Sequence, residues 1–225
     1  MIHNIIKNIV FGKNGVEIGG PSDFTGPIIY ANVSNIDNVV FKMNTVWYDN
    51  KHYNKGKIII NDAINLVDIK DNTYDFVFAS HILEHVANPL KAVEEFIRII
   101  KDDGYIIIVV PEKSVCFDHK REYTKFSTLL SQFEKNVGED DLSTLPEILR
   151  NHDLSLDPLA GNFENFTKRC LNNYENRCMH HYVYNYDLLM DIKDYFKCQY
   201  IYKETESINI WFIMKKIVYK DNLDI

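Results

Sequence analysis

The chain has 225 residues, a formal net charge of −7, 46% hydrophobic residues and 25% charged residues. This composition is that of an ordinary globular protein and argues against long disordered segments, and the length favours a single domain over residues 1–225. The acidic balance, without a run of basic residues, argues against a nucleic-acid partner.

Targeting signals and disulfides are also not expected. No apolar run reaches the roughly 18 residues of a membrane-spanning helix, and the amino terminus does not resemble a signal peptide. Four cysteines without CxxC spacing are expected to stay reduced. We therefore expect no membrane span and a cytoplasmic protein. The abundance of Asn, Ile, Lys and Tyr hints at an AT-rich genome, and if that genome is viral the location is the host cytoplasm. No feature of the sequence sets the oligomeric state.

The first half of the chain alternates apolar runs with helical patterns. Short apolar runs predict buried strands at residues 15–20, 38–41, 57–60 and 74–79. A helix is predicted over residues 89–101, which Pro89 opens and Asp102-Asp103-Gly104 stops. The uniformly apolar YIIIVV at residues 105–110 is typical of the middle of a parallel sheet.

The second half begins with a segment that lacks a clean period. Residues 112–185 are interpreted as an insertion that covers the ligand end of the sheet and forms the acceptor side. A helix over 187–196 and strands at 199–202 and 208–213 follow. The order predicts an α/β, Rossmann-like, doubly wound fold: a mostly parallel sheet with an antiparallel edge strand and an insertion after strand 5.

Paired glycines end the first predicted strand. Gly19 and Gly20 remove side chains where a ligand must approach the main chain, and Pro21 and Ser22 follow them. Glu17, near the end of the strand, is placed to accept hydrogen bonds from a ligand amino group. The GxGxxG dinucleotide fingerprint does not occur, which argues against a dehydrogenase.

Two further strand ends carry polar residues. Asp62 and Ala63 follow the third strand, and Ser80 and His81 follow the fourth. Because ligands in open parallel sheets bind beyond the carboxyl ends of strands, His81 is expected to face the chemistry or its rim. A turn cap is the alternative reading of Asp62.

These segments together resemble a known family. GVEIGGPS (residues 15–22), NDAINL (61–66) and the stretch from Tyr74 to Pro111 resemble the motifs of class I methyltransferases that use S-adenosylmethionine. The resemblance implies that cofactor, with Glu17, Gly19 and Gly20 at its methionine part and Asp62 at its adenine edge. No acidic residue ends strand 2 to bind the ribose; Asp37 precedes that strand and Asn44 follows it. The implied cofactor-binding set is Glu17, Gly19, Gly20, Pro21, Ser22, Asn44, Asp62, Ala63, Ser80 and His81.

The segment 112–185 resembles a smaller group within this family. Residues 117–161 and 176–185 are similar to a segment of methyltransferases from capsule and surface-glycan gene clusters, which some large DNA viruses also carry. The resemblance implies O-methylation of a sugar hydroxyl of a glycan or nucleotide sugar.

A sugar hydroxyl is a poor nucleophile, so transfer would benefit from a base near neutral pKa or from a metal ion. The candidate bases are His81, His119 and His181, and the candidate substrate-binding residues are Arg121, His180 and Tyr182. A divalent metal is possible, although the acidic run Glu139-Asp140-Asp141 is more typical of a solvated helix start, and no residue is assigned as a metal ligand.

Two other functions stay open at this point. The chain could be a methyltransferase of non-sugar small molecules such as a phenol, carboxylate or amine. It could also be a catalytically inactive Rossmann-like binding module in glycan assembly, since the glycine turn is short. Cofactor binding without turnover on any acceptor would favour the module.

Overall fold

The computed structural model describes residues 1–22, 26–43, 45 and 55–217. The strands are β1 (Asn14–Ile18), β2 (Asn35–Val40), β3 (Ile58–Ile60), β4 (Tyr74–Ser80), β5 (Ile100–Pro111), β6 (Gln199–Glu206) and β7 (Asn209–Lys215). The helices are α1 (Ile2–Val10), α2 (Gly26–Tyr30), α3 (Pro89–Ile99), α4 (Phe126–Glu134), α5 (Leu145–Asn151), α6 (Phe163–Leu171), α7 (Asn173–Asn176) and α8 (Tyr186–Tyr195).

The strands form one sheet in the order β3-β2-β1-β4-β5-β7-β6. Strands β1 to β5 pair in parallel, whereas β7 is antiparallel to both β5 and β6. The predicted Rossmann-like α/β fold is confirmed. The antiparallel strand β7 lies one position inside the edge, which β6 forms.

Side-chain alternation along the strands divides the core into two layers. On one face Val77, Ile106 and Ile108 pack with apolar residues of α3 and α8. On the other face Phe78 and Ile107 pack with α1 and α2. Because helices cover both faces, the central strands are apolar throughout.

Helix α3 follows from its local sequence. The Asn88 side chain accepts a hydrogen bond from the backbone N–H of Lys91, 3.3 Å away, and Pro89 occupies the first turn, where no N–H is needed. The helix ends at Ile99, two residues before the predicted boundary, because Ile100 already pairs with Tyr74 of β4. The pairing shifts register after that point, so β5 begins earlier than the apolar run alone predicts.

The segment 112–185 contains α4 to α7. It has a small apolar cluster of its own, formed by Ile148, Ala160, Phe166, Cys170 and Met179. All four cysteines are free thiols. Within the described ranges, no helix combines the length and apolar character needed to cross a bilayer.

Candidate functional site

A cavity of about 750 Å³ lies where strands β1 to β4 end. Residues of the segment 112–185, among them Phe117 and Leu159, form the opposite wall. Parallel strands place their carboxyl ends at the same edge, so residues distant in sequence meet there. The predicted site residues that line the cavity are Gly19, Pro21, Ser22, Asp62, Ala63, Ser80, His81 and His180.

The glycine turn after β1 brings main chain to the cavity wall. Gly19 has φ +76°, and its N–H donates to the carbonyl of Val39 at 2.8 Å. A Cβ atom at Gly19 would lie 2.0 Å from Cδ1 of Ile82. A side chain at Gly19 would have to adopt this left-handed backbone conformation and displace the end of the Ile82 side chain, so glycine is favoured here.

Glu17 lies beneath this turn, buried, and is not part of the cavity lining. Its carboxylate accepts hydrogen bonds from the Ser22 backbone N–H at 2.9 Å and from the Tyr30 hydroxyl at 2.5 Å. A Cβ atom on Gly20 would lie 2.2 Å from Cδ of Glu17, so the carboxyl group occupies the space next to that glycine. Burial raises the pKa of Glu17 to about 7, against the opposing effect of the two hydrogen bonds.

The end of β2 carries no acidic side chain into the cavity among the described residues. Phe41 and Lys42 line the cavity there, and Asn44 lies outside the described residues. Asp37 lies within β2, where its carboxylate accepts from the Tyr74 hydroxyl at 2.6 Å and from the Lys57 backbone N–H at 3.0 Å.

Asp62, after β3, connects the sheet to the segment 112–185. Its Oδ1 accepts from the backbone N–H of Ile64 at 3.2 Å, and its Oδ2 lies 3.0 Å from Nη2 of Arg177. Nη1 of Arg177 lies 2.8 Å from the buried carboxylate of Glu139. The solvated helix start expected for the acidic run is wrong for Glu139, which is buried and paired with Arg177, whereas the next residue, Asp140, is exposed.

Ionisable residues gather at the end of β4. His81 has φ +53°, its Nε2 lies 2.7 Å from Oδ1 of Asn209, and its Nδ1 lies 3.4 Å from Oε1 of Glu84. Glu84 and His85 also line the cavity. Although burial acts the other way on each, the approach of Glu84 to His81 raises the pKa of His81 and lowers that of Glu84. Burial lowers the pKa of His85 to about 3, so its imidazole is neutral.

His180 is the predicted residue of the segment 112–185 that reaches the cavity. Its Nδ1 lies 2.5 Å from Oδ2 of Asp118, a buried carboxylate that also accepts from Arg121 at 2.9 Å. Despite burial, the neighbouring His180 and Arg121 hold the pKa of Asp118 at about 2. The ring of Phe117 packs against His180, with centroids 4.6 Å apart.

The remaining predicted residues lie elsewhere. His119 contacts Asp153, with Nε2 2.9 Å from Oδ2, and does not line the cavity. Arg121, His181 and Tyr182 line a second concavity of about 530 Å³. The Tyr182 hydroxyl donates to the carbonyl of Ala87 at 2.7 Å, and burial lowers the pKa of His181 to about 3.

Sequence reasoning did not single out Glu84 or Arg177. Glu84 had a recognisable signal, a carboxylate inside the otherwise apolar run ILEHV with histidines on either side. Arg177 had none, because its partner Asp62 is 115 residues away in the chain.

Parts of the sequence match known proteins. Residues 26–108 match the family described as "Methyltransferase domain". An uncharacterized protein of Methanocaldococcus jannaschii is 52% identical over 44 residues, which cover 20% of this chain and 19% of that protein. The alignment therefore spans about a fifth of that relative.

Solved structures share the fold across nearly the whole chain. An S-adenosylmethionine-dependent methyltransferase from Aquifex aeolicus has a TM-score of 0.56 at 16% identity, covering 95% of this chain and 88% of its own. One from Methanosarcina mazei has a TM-score of 0.57 at 11% identity, covering 96% and 98%. A Thermotoga maritima protein described as a possible histamine N-methyltransferase has a TM-score of 0.51 at 16% identity, covering 95% and 87%. The fold is that of class I methyltransferases.

Proposed function

We propose that the chain is an S-adenosylmethionine-dependent O-methyltransferase whose acceptor is a sugar hydroxyl of a glycan or nucleotide sugar. The observation that carries methyl transfer is the cavity built on the Gly19 turn, with ionisable residues of β4 on its wall, in a methyltransferase fold. The proposal keeps the cytoplasmic location expected from the sequence.

The cavity suits the cofactor in size. Its volume of about 750 Å³ falls within the range of about 300–1,000 Å³ typical of small-molecule sites. The missing side chain at Gly19 leaves the main chain as the wall for the methionine part, with Pro21 and Ser22 beside it. The proposal assigns Asp62 and Ala63, which also line the cavity, to the adenine. Glu17 does not line the cavity, so the proposal gives it an indirect role, through the turn that it supports, in place of the direct contact expected from the sequence.

S-adenosylmethionine would supply a methyl group on a sulfonium, and S-adenosylhomocysteine would be the leaving group when an acceptor oxygen attacks the methyl carbon. The protein's own contribution is to position the acceptor and to take its proton. His81 is the candidate base because, unlike His119, its side chain lines the cavity. His180 also lines the cavity, with its ring centroid 4.5 Å from that of His85, and the proposal assigns it to binding the acceptor.

The sugar acceptor rests on the resemblance of the segment 112–185 to glycan methyltransferases. Methyltransferase structures with this fold also include the possible histamine N-methyltransferase, so the fold does not select the acceptor.

A non-sugar acceptor is the second candidate. Four exposed apolar side chains lie along the cavity wall, and Leu159 among them is 95% exposed; they are Val115, Leu156, Leu159 and Ile208. Such a wall suits an acceptor that carries an apolar group, such as a phenol.

The test is a calorimetric titration of the purified chain with S-adenosylhomocysteine, followed by methyl transfer from labelled S-adenosylmethionine. Acceptors are nucleotide sugars, oligosaccharides and, in parallel, simple phenols. Micromolar binding and labelled sugar would support the full proposal. If only a phenol is labelled, the acceptor is a phenol and not a sugar. Binding without any turnover would favour an inactive binding module. No binding would overturn the proposal.

A further inference from the structure

Three residues on the cavity wall have the chemistry of a metal site. Glu84 and His85 follow β4, and His180 comes from the end of the segment 112–185. Each offers one ligand atom, and these atoms all lie within 4.8 Å of one another. With metal–ligand distances of about 2.0–2.2 Å, ligand atoms of one ion lie roughly 3–4.4 Å apart. A small closing movement of the side chains would therefore bring all three onto one cation.

Glu84 is the residue whose surroundings point most directly to a cation. Its side chain is only 1% exposed, and within the described part of the chain neither carboxylate oxygen has a hydrogen-bond partner. One imidazole nitrogen, Nδ1 of His81, lies 3.4 Å from Oε1. A buried carboxylate is strongly unfavourable unless it is hydrogen-bonded, paired or bound to a metal. His81 approaches Oε1 alone, so Oε2 has neither a hydrogen-bond partner nor a charged partner among the described residues and is available to a cation.

His180 is oriented as metal-binding histidines are. Its side chain is 9% exposed, and its Nδ1 is positioned to donate to Asp118, at 2.5 Å. Arg121 holds the same carboxylate from the other side, at 2.9 Å. A carboxylate on one ring nitrogen fixes the tautomer and leaves the other nitrogen, Nε2, with its lone pair for a metal.

We propose that Glu84, His85 and His180 bind one divalent transition-metal cation whose remaining coordination positions open into the cavity. Two imidazoles and one carboxylate favour such cations over Mg²⁺ or Ca²⁺, which prefer oxygen ligands. All three residues line the cavity, so a molecule bound there can reach the ion. Asp118 and Arg121 are positioning residues for His180.

The use of this ion in catalysis rests on the proposed methyl transfer. A hydroxyl bound to a divalent cation loses its proton more readily. The proton would pass to His81, the acceptor oxygen would form the new O–C bond, and the S–C electron pair would leave with S-adenosylhomocysteine, while the cation would keep its oxidation state.

The test measures metal binding directly, on the full chain after treatment with a chelator. Co²⁺ is the probe, because its visible absorption distinguishes imidazole and carboxylate ligands from thiolates such as Cys116, which also lines the cavity. We expect one equivalent to bind with a nitrogen and oxygen spectrum. Glu84→Gln and His180→Gln should each weaken binding at least tenfold, and Asp118→Asn about 10- to 100-fold.

The matched control is His119→Gln, because His119 also contacts an aspartate but lies outside the cavity. It should bind Co²⁺ as the unchanged chain does. Circular dichroism and thermal melts identify variants that fail to fold. One folded variant, either Glu84→Gln or His180→Gln, is enough for the test. Absence of stoichiometric binding, a thiolate spectrum, or unchanged affinity in a folded Glu84→Gln or His180→Gln variant would overturn the site.

Titration of the same samples with S-adenosylhomocysteine separates the two proposals. Co²⁺ binding without S-adenosylhomocysteine binding would keep the metal site and remove the methyltransferase. The reverse result would keep the methyltransferase and remove the metal.

Discussion

The hydroxyl of Tyr30 lies 2.5 Å from the carboxylate of Glu17 and 2.7 Å from Oδ1 of Asn38. A hydroxyl has one proton, so Tyr30 can donate fully to only one of these oxygens. If Glu17 is protonated, it donates to Tyr30 while Tyr30 donates to Asn38, and each group has a partner. The contact geometry thus agrees with the pKa of about 7 that burial gives Glu17.

This relationship predicts that Glu17 destabilises the fold as the pH rises. Because its folded-state pKa of about 7 is above the ordinary value of 4.5, its contribution to the free energy of unfolding is greatest below pH 4.5. That contribution is lost as the pH rises to about 7, by up to roughly 3 kcal/mol. Glu17→Gln keeps a neutral amide in the same network, so its stability should change less over this interval. Urea unfolding of both proteins from pH 5 to 8 measures the difference, and equal pH profiles would contradict it.

Gly19 should not tolerate a side chain. A Cβ atom would meet Ile82 at 2.0 Å, and φ +76° adds a cost of about 1–2 kcal/mol for a residue other than glycine. Gly19→Ala should therefore weaken S-adenosylhomocysteine binding at least tenfold by calorimetry, and Gly19→Val should abolish it.

Gly12 supplies the matched control. Its φ is +68°, yet a Cβ atom there would meet nothing within 4 Å. Gly12→Ala should lower the melting temperature, because alanine disfavours this backbone conformation, and should leave the ligand affinity unchanged. Retained micromolar binding by Gly19→Val would remove Gly19 from the site.

Much of the fold was predictable because the core is built from local patterns. The buried strands and α3 carry their apolar periods in uninterrupted segments. Helix α1 was also readable, since Ile2, Ile6, Ile9 and Val10 recur at helical spacing and are buried, but the sequence analysis did not assign it. The early start of β5 was not readable, because it depends on pairing with Tyr74.

The candidate site was predictable at the strand ends and less so beyond them. Gly19, Asp62 and His81 line the cavity because parallel strands end together. No comparable rule predicts where the histidines of the segment 112–185 lie. His119 and His180 each contact an aspartate, and only the folded path of the chain brings His180 to the cavity.

His81 should be needed for turnover more than for cofactor binding. Asparagine tolerates the left-handed backbone of this position, φ +53°, so His81→Asn is the least disruptive variant. Loss of a general base lowers kcat by about 10²- to 10⁴-fold. We expect that loss with labelled S-adenosylmethionine and the identified acceptor, with nearly unchanged S-adenosylhomocysteine affinity. His119→Gln should retain activity. If His119→Gln lowers kcat more than His81→Asn does, His119 and not His81 is the general base.

Arg121 should act on stability. Its side chain is 3% exposed and contacts Asp118, Glu147 and the carbonyls of His180 and His181 at 2.8–3.1 Å. A lysine cannot reproduce this planar set of donors. Arg121→Lys keeps the positive charge beside Asp118 but loses several of these donors, so it should lower the free energy of unfolding by about 1–3 kcal/mol, as for buried polar groups left without a partner. The exposed Arg150→Lys should change it little. A stable Arg121→Lys variant with weakened acceptor binding would instead support the predicted substrate contact.

Arg177 holds the segment 112–185 against the turn after β3. Its guanidinium lies 3.0 Å from Asp62 and 2.8 Å from Glu139, and burial raises the pKa of Glu139 to about 7 even beside this cation. Arg177→Gln leaves Glu139 buried without its partner, which should cost about 3 kcal/mol in urea unfolding at pH 8. Adding Glu139→Gln removes the buried charge and should restore much of that loss. S-adenosylhomocysteine affinity should fall in both variants, since Asp62 loses the contact that positions it. If Glu139→Gln does not restore the stability lost in Arg177→Gln, the loss comes from the contact between Arg177 and Asp62 and not from the buried charge of Glu139.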